Sequence, residues 1–457
     1  MLDTDETISR ELNHLDIAGL IQIQRTNGRR YLASQNADAQ AFRQQWSSAY
    51  SRAVSLLADE GRGRRVRQLA TLLKEVTFSI HAMNTEPYVT YYPYTDVHVL
   101  DWYLRPTHVP FAVLKRRALY GALYLLRDLS RFEADSLSGI ETRHREKLSR
   151  EVVVRRIDKI RDAIEACKSV FQLAEIAVPS PMDEPVIYRH LEDYVGEATR
   201  LSVLVHFTCF PRTECHDEVV FLRTIHLGEL CFFALRMLIM EAIENLRRRR
   251  MAEGAQCLLE GVSVADLLHR IFAILNTMPK EHFLDFREYT ERGSAIQSRG
   301  YQLLDIYFRG VDGRKLQAFS ECPGLADLYW FGDASFVSLR SMIRDTQLQR
   351  HDEWPVVESV ARQLDKTFMT WRGLHIALAL KYLDAAEAAT GGTSGAPYLK
   401  QFMAEGLFSD TSVDLELVSR IWDDQEILEL VPVADGVAPS SERRGATRNP
   451  KRIPPRE

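Results

Sequence analysis

Apolar residues that recur three and four positions apart dominate this chain, and this spacing constrains its fold more than any other feature. The pattern is clear in three segments, which carry Ile157, Ile160, Ala163 and Ile164; Val262, Ala265, Leu268 and Ile271; and Val356, Val360 and Leu364. Such spacing places apolar side chains on one face of an α-helix, whereas a half-buried strand would alternate. Because alternation is scarce, the sequence predicts an all-α protein built as a helical bundle.

The opening segment, residues 1–36, departs from this pattern. Short alternating runs flank Asn27-Gly28, a dipeptide typical of tight hairpin turns, and a helix-like stretch precedes them. We predict a helix followed by a small hairpin. This arrangement is similar to the second half of a winged-helix DNA-binding module, but too few residues precede it to form a recognition helix. A docking arm is therefore the simpler interpretation, and nucleic acid is not expected as a partner.

Composition divides the remainder of this 457-residue chain into three parts. Residues 37–182 are predicted to form a helical extension of unknown role, in which the tyrosine-rich passage 88–94 is interpreted as half-buried packing. The proline-rich stretch 178–185 predicts a linker, so residues 183–432 form a second unit. Residues 433–457 are rich in Pro, Ser, Gly, Arg and Lys, which predicts a disordered basic tail.

Charge and hydropathy exclude several classes of protein. A net charge of -5 gives no global reason to expect nucleic acid or an anionic membrane as a partner. The longest apolar run, residues 230–240, is interrupted by Arg236 and predicts a buried helix without a membrane span. The acidic N-terminus lacks the features of a signal peptide, so we expect a cytoplasmic protein. The six scattered cysteines predict reduced thiols in the core.

Three segments after the linker contain residues that could carry chemistry. They are residues 216–230, residues 286–298 and residues 371–399. In the third segment His375 lies in a helical pattern and is followed by a loop rich in glycine and hydroxyl residues. A helix can hold one imidazole rigidly against a metal or haem, and a Gly-Gly loop can close over a substrate. These features together predict a covered active site.

The three segments resemble, in the same order, the signature blocks of the tryptophan 2,3-dioxygenase superfamily of haem enzymes. That superfamily has a His-Asp-Glu block, a Phe-Arg pair followed by Ser-Gly-Phe-Gln-Ser, and Trp-Arg-x-x-His followed by Gly-Thr-Gly-Gly-Ser-Ser-Gly. The counterparts here are residues 216–218, residues 286–287 with 294–298, and residues 371–375 with 389–395. The resemblance covers about residues 184–424. It implies that residues 183–432 form a helical-bundle, haem-binding oxygenase domain of that type.

The resemblance assigns roles to individual residues. His375 corresponds to the axial ligand of the haem iron, so haem b is the implied cofactor. Arg287 corresponds to the arginine that holds the substrate carboxylate, a task suited to a bidentate guanidinium. Thr390 corresponds to a loop threonine that contacts the substrate ammonium, with one extra residue between it and the histidine. Gly391 and Gly392 belong to the same substrate-binding loop.

Four further residues are implied to lie at the substrate. Phe221 matches an aromatic pocket residue, and Ser294 matches a serine near haem and substrate, although Ala-Ile replaces the usual Gly-Phe after it. On the distal side, tryptophan-cleaving members carry His-Gln-x-x-Glu-Leu, and Ile225 occupies the histidine position here. His226 occupies the glutamine position, so it reaches the pocket only if the helix contains a bulge. On that condition we take His226 as the candidate catalytic residue.

The function implied by the resemblance is O₂-dependent oxidation of an indole or aromatic amino acid, with ring cleavage to an N-formylkynurenine-type product. The missing distal histidine keeps open a haem-dependent mono-oxygenase, hydroxylase or ring-rearranging enzyme that acts on a tryptophan or tyrosine derivative in natural-product biosynthesis. The implied partners are that substrate and O₂. A homo-oligomer stays open, because members of the superfamily often assemble.

Two other classes of protein, a non-haem metal protein and a DNA-binding regulator, also stay open. A non-haem metal could be bound by a cluster in the first segment, which contains Cys215, His216, Asp217, Glu218, His226 and Glu229. That interpretation leaves the glycine-rich loop without a role. A non-catalytic, haem-sensing regulator would contact DNA through the N-terminal ribbon and the arginine run 247–250. This run is more simply a solvated helix end, where cations complement the helix dipole.

Overall fold

The computed structural model describes residues 37–59, 64–86, 90–104, 110–139, 148–177, 197–291, 293–322, 324–332, 336–383 and 406–431. All regular secondary structure in these ranges is helical, which confirms the predicted all-α fold. The predicted hairpin in residues 1–36, the linker and the basic tail lie outside the described residues.

The helices are numbered in chain order. The first half of the chain contains α1 (Ala37–Ala58), α2 (Arg64–Thr85), α3 (Tyr91–Thr95), α4 (Val97–Leu104), α5 (Phe111–Leu137), α6 (Arg150–Leu173) and α7 (Glu197–His206). The second half contains α8 (His216–Arg247), α9 (Met251–Leu275), α10 (Lys280–Arg287), α11 (Arg299–Arg309), α12 (Leu316–Glu321), α13 (Leu339–Ile343), α14 (Trp354–Tyr382), α15 (Leu415–Ile421) and α16 (Gln425–Leu430). Short 3-10 turns lie at Glu288–Thr290, Ala295–Gln297, Gly313–Lys315 and Ala326–Gly332.

Three long helices, α8, α9 and α14, form the centre of the bundle. Helix α8 packs along α9, and α9 packs in turn along α14. Apolar side chains occur on most sides of α8, and Leu227, Leu230 and Leu235 are completely buried. A helix that is apolar on most sides has to lie inside a bundle. The apolar run in α8 is therefore a core helix, as its sequence predicted.

The helices of the predicted extension pack on the same centre. Helix α5 lies along α8, and α6 lies along α9. One hydrophobic core contains Trp46 of α1 and Leu123 of α5 together with Leu230 of α8 and Trp371 of α14. The predicted boundary at residues 182 and 183 thus separates two parts of the chain that share a core. A proline-rich connection interrupts helices locally, but it does not decide which helix faces pack together.

A buried ion network also joins the two parts. Arg156 of α6 lies 2.9 Å from Glu133 of α5 and 2.6 Å from Asp217 of α8. Nδ1 of His282, in α10, lies 2.7 Å from the Asp217 carboxylate. Burial favours the protonated form of Asp217, but Arg156 and His282 outweigh it and lower the pKa of this carboxyl to about 2. Because loss of one partner from a buried ion pair is strongly destabilising, the network fixes α6 and α10 on α8.

Two features of the chain bear on whether it could be a membrane protein or a nucleic-acid-binding protein. No helix in the described part of the chain combines the length and the apolar character that crossing a membrane requires. The arginine run 247–250 lies at the exposed carboxyl end of α8, and Arg248 forms a 2.6 Å ion pair with Glu244. This placement agrees with a solvated helix end.

Candidate active site

A cavity of about 340 Å³ lies between α3, α8, α9, α10 and α14. Ligand sites in proteins typically measure roughly 300–1,000 Å³, so a small organic molecule fits this space. Aromatic and aliphatic side chains form most of its wall. They include Phe221, Ile225, Phe232, Phe272, Leu275, Phe283, Ile296, Tyr301, Trp371 and Leu378.

Residues from all three segments identified in the sequence line this cavity. Phe221 and Ile225 come from α8, Arg287 from α10, Ser294 from the turn before α11, and His375 from α14. The segments are distant in sequence, and they come together because α10 packs against both α8 and α14 while α9 packs between these two helices. Three further residues expected in the site lie outside the described residues, namely Thr390, Gly391 and Gly392.

His375 lies in α14 and keeps part of its surface open to the cavity. The rings of Phe272 and Trp371 lie 5.5 Å and 5.6 Å from the imidazole. Within the described ranges, neither ring nitrogen of His375 has a hydrogen-bond partner. Burial lowers the pKa of His375 to about 4, so the ring is neutral at pH 7. A neutral imidazole without a partner in an apolar wall can ligate a metal or a haem iron.

Trp371 is the centre of an aromatic cluster beside His375. Its ring stacks on Phe368 at 5.4 Å, meets Phe232 of α8 at 5.2 Å and lies 5.7 Å from Tyr301. The indole Nε1 of Trp371 is buried without a hydrogen-bond partner among the described residues. A buried N–H group without an acceptor is destabilising. The cluster thus offers flat apolar surface and one donor that a bound molecule could satisfy.

Arg287 is the last residue of α10, and its side chain lines the cavity. The residues before it hold this helix in place. Phe286 is fully buried and packs against Phe221 at 5.2 Å, and His282 bonds to Asp217. Because α10 is attached to α8 at two points, the backbone that carries Arg287 is held beside the cavity. A guanidinium at such a position can form two parallel hydrogen bonds with a carboxylate.

His226 does not line the cavity. Its side chain is completely buried, Nε2 lies 2.5 Å from the carbonyl oxygen of Thr95, and Nδ1 lies 3.5 Å from Nη1 of Arg223. Burial, assisted by the Arg223 charge, lowers the pKa of His226 to about 3. Helix α8 runs without interruption through this position. Successive residues of a helix are rotated by about 100°, so with Ile225 facing the cavity the imidazole of His226 points away from it. The expected catalytic role of His226 is therefore corrected to a structural one, the attachment of α8 to α3.

Glu229 is a polar residue of the cavity that the sequence analysis named only as a possible ligand of a non-haem metal. It lies one helical turn after Ile225 and lines the same space. Hydroxyl groups of Tyr91 and Ser298 donate to its Oε1 at 2.8 Å and 2.5 Å. Burial raises the pKa of Glu229 to about 7. Gly300 approaches closely, since a Cβ there would overlap with Oε2 of Glu229. The four-residue spacing from Ile225 is the signal for its place in this cavity, because residues four apart share a helix face.

Two tyrosines of α3 also reach the cavity, although packing alone was expected for this passage. Tyr91 and Tyr94 line its wall, and both are nearly buried. The Tyr94 hydroxyl donates a 3.2 Å hydrogen bond to Glu218. The extension without an assigned role therefore supplies part of the candidate site. A tyrosine cluster alone could not indicate this, because half-buried tyrosines are common in ordinary cores.

A positively charged cluster forms another part of the wall. The Asp305 carboxylate accepts from Arg309 at 2.7 Å, from Lys315 at 2.7 Å and from Arg372 at 2.5 Å. Burial alone would raise the pKa of Asp305, but the three cations hold it well below its usual value. Lys315 and Arg372 also line the cavity. The wall there carries more positive than negative charge.

The non-haem metal interpretation does not agree with the geometry of the first segment. His216 pairs with Glu133, Asp217 with Arg156, and Glu218 accepts from Thr213. These side chains are thus already engaged by ion pairs and hydrogen bonds within the protein, His216 and Asp217 by the network of Glu133 and Arg156. In the described ranges, no three His, Cys, Asp or Glu side chains are grouped so that they could hold a metal ion.

Several curated proteins are similar to this chain. Tryptophan 2,3-dioxygenase of Burkholderia lata is 23% identical over 235 residues, which cover 44% of this chain and 76% of that protein. The proteins of the same name from Burkholderia orbicola and Burkholderia cenocepacia are 23% and 22% identical over 235 residues, 44% of this chain and 75% of each relative. No protein-family model matches the chain. At this low identity, these relatives and the all-α fold support a distant resemblance of the chain to the tryptophan 2,3-dioxygenase superfamily.

Proposed function

We propose that this protein is a haem-dependent oxygenase that uses O₂ to oxidise an indole or another aromatic amino acid. The observation that carries the proposal is the cavity in which His375, Arg287 and Ile225 meet. An imidazole for iron, a guanidinium for a carboxylate and an apolar wall for a ring are the three parts that such a reaction requires. The curated relatives named tryptophan 2,3-dioxygenase support the same class.

The residues present fit a haem group. Neutral His375 has no hydrogen-bond partner among the described residues and would hold the iron from α14. The rings of Phe232, Phe272 and Trp371 would pack against a flat macrocycle, and the buried indole N–H of Trp371 would gain an acceptor. A haem bound in this way would supply the binding and activation of O₂.

The chain itself would bind and orient the substrate. Arg287 would hold the carboxylate of the amino acid in a bidentate pair, because α10 carries this side chain at the cavity wall. Phe221 and Ile225 would contact the ring, with Ser294 beside it. By resemblance, the loop that contains Thr390, Gly391 and Gly392 would contact the ammonium and exclude water.

An optical titration tests this function. The purified protein is supplied with haem, reduced without oxygen and titrated with L-tryptophan before O₂ is added. We expect a haem band that shifts as tryptophan binds, followed by the absorbance of an N-formylkynurenine-type product. Haem binding without any response to aromatic amino acids would contradict the proposed substrate class. Failure to bind haem would contradict the proposal as a whole.

A second candidate, insertion of a single oxygen atom, is favoured by one observation. Ile225 lines the cavity at the position where tryptophan-cleaving members carry a histidine, and His226 faces the core. A changed distal wall can change the outcome of the reaction, as in a hydroxylase. Mass spectrometry of products formed under ¹⁸O₂ separates the candidates, because ring cleavage adds two labelled atoms and hydroxylation adds one.

A further inference from the structure

We infer that Glu229 is a specificity residue that accepts a hydrogen bond from the ring N–H of the aromatic substrate. The inference rests on the proposed function, because it concerns the substrate of the same cavity. Glu229 would thereby provide, from one helical turn further along α8, the polar contact that Ile225 cannot make.

The position of Glu229 is the first argument. Residues four apart on a helix lie on the same face, and Ile225 and Glu229 both line the cavity. Phe221, one turn earlier, lines it as well. Substrate that lies along this face of α8 therefore meets an aromatic ring, an aliphatic side chain and a carboxyl group in succession. Glu229 is the one acidic residue among those that line the described part of the cavity.

The hydrogen bonds of Glu229 are the second argument. Its Oε1 already accepts from Tyr91 and Ser298. Its Oε2 has no hydrogen-bond partner among the described residues, and the absence of a side chain at Gly300 leaves it space. An ionised carboxylate accepts at both oxygens, so Oε2 is available for a donor on a ligand. An indole nitrogen offers one donor and no acceptor, which matches this vacancy.

The surroundings of the carboxyl are consistent with this use. Burial raises the pKa of Glu229 to about 7 against the hydrogen bonds from Ser298 and Tyr91, while the charges of Asp101 in α4 and Arg236 in α8 have smaller, opposite effects. Tyr91 and Tyr92 of α3 also face it and ionise far above neutral pH. A ligand that donates a hydrogen bond to this carboxyl shifts it towards its ionised form, because a donor favours the charged state.

A comparison of two ligands tests the inference. L-tryptophan and 3-(3-benzothienyl)-L-alanine have nearly the same shape, but sulfur replaces the ring N–H in the second. Dissociation constants are measured calorimetrically on the haem-loaded protein. We expect the unchanged protein to bind tryptophan about tenfold more tightly, as a hydrogen bond to a charged group implies.

The Glu229→Gln variant should lose this preference. Tyr91 and Ser298 would hold the amide oxygen at the Oε1 position, so the amide NH₂ would face the cavity and oppose the ring N–H. The matched control is Glu218→Gln, a buried carboxyl of the same helix that does not line the cavity. This control should keep the preference for tryptophan.

The outcomes separate this inference from the proposed function. Equal affinity of the unchanged protein for the two ligands would overturn the inference while leaving the aromatic amino acid as substrate. A preference that persists in a folded Glu229→Gln variant would also overturn it, and would mean that the carboxyl only ties α3 to α8. Binding of neither ligand would overturn the inference and the proposed function together. If Glu229→Gln does not fold, Gly300→Ala takes its place, because the added Cβ displaces Oε2 and should likewise abolish the preference.

Discussion

The hydroxyl of Tyr91 donates a 2.8 Å hydrogen bond to Glu229, although 138 residues separate the two in sequence. Tyr91 belongs to the short helix α3, and Glu229 belongs to the central helix α8. Both residues line the same cavity. The first third of the chain is therefore a structural part of the candidate site, and its helices are required to complete the wall that faces a substrate.

We expect replacement of His375 by alanine to abolish retention of haem. The imidazole is the residue of the cavity that can ligate iron from α14, and alanine offers no ligand. The measurement is haem absorbance after gel filtration of the supplemented protein. His269→Ala is the matched control. This buried histidine of α9 bonds to the carbonyl of Thr367 in α14, the helix that contains His375, and it does not line the cavity. Full retention of haem by His375→Ala would remove the ligand assignment.

For His226→Ala we expect a loss of stability without a loss of substrate affinity. The change leaves the Thr95 carbonyl without its imidazole partner, whereas Arg223 keeps Asp128 and Thr208, and an unsatisfied buried group costs about 1–3 kcal/mol. Urea unfolding measures the first effect, and the dissociation constant of L-tryptophan measures the second. A catalytic role would show instead as a large fall in turnover with unchanged stability.

Replacement of Arg287 by alanine should raise the dissociation constant of L-tryptophan by about 10²-fold, as loss of a charge-assisted bidentate contact implies. The dissociation constant of Arg287→Lys should lie between those of the unchanged protein and Arg287→Ala, because lysine keeps the charge but lacks the planar, two-pronged geometry of the guanidinium. Tryptamine lacks the carboxylate, so its affinity should be the same for the unchanged protein and for both variants. An equal loss of affinity for tryptamine would show that Arg287 supports the cavity without binding the carboxylate.

The raised pKa of Glu229 has a consequence for stability that can be measured without a ligand. Its pKa is about 7 in the folded protein, against an ordinary value of 4.5. Between these values the folded state keeps a proton that the unfolded state has released, so stability falls as the pH rises towards 7 and is then level. The contribution of this group amounts to about 3 kcal/mol.

Comparison with Glu229→Gln isolates that contribution, because glutamine does not titrate. Asp96, whose pKa burial also raises to about 7, affects both proteins equally. We expect the unchanged protein to lose more unfolding free energy between pH 5 and pH 8 than the variant does. Parallel losses in urea unfolding at the two pH values would mean that Glu229 is ionised throughout this range.

Local sequence patterns accounted for much of the fold and part of the site. The three- and four-residue spacing around Ile160, Leu268 and Val360 predicted helices, and these segments lie in α6, α9 and α14. Helix formation depends on neighbours within one or two turns, so such patterns are readable without a tertiary structure. The order of the blocks that contain Arg287 and His375 indicated the superfamily for a related reason, since motif spacing is a property of the chain.

Side-chain direction and long-range contacts were decided by the tertiary structure alone. The sequence left open whether a bulge in α8 brings His226 into the pocket, and the uninterrupted helix turns Ile225 to the cavity and His226 to the carbonyl of Thr95. The pairing of Tyr91 with Glu229 was equally unreadable, because it depends on how α3 lies against α8. Sequence determined which segments are helical and which residues are chemically capable. The close packing of distant helices determined which of those residues share one cavity, because burial selects whole helix faces.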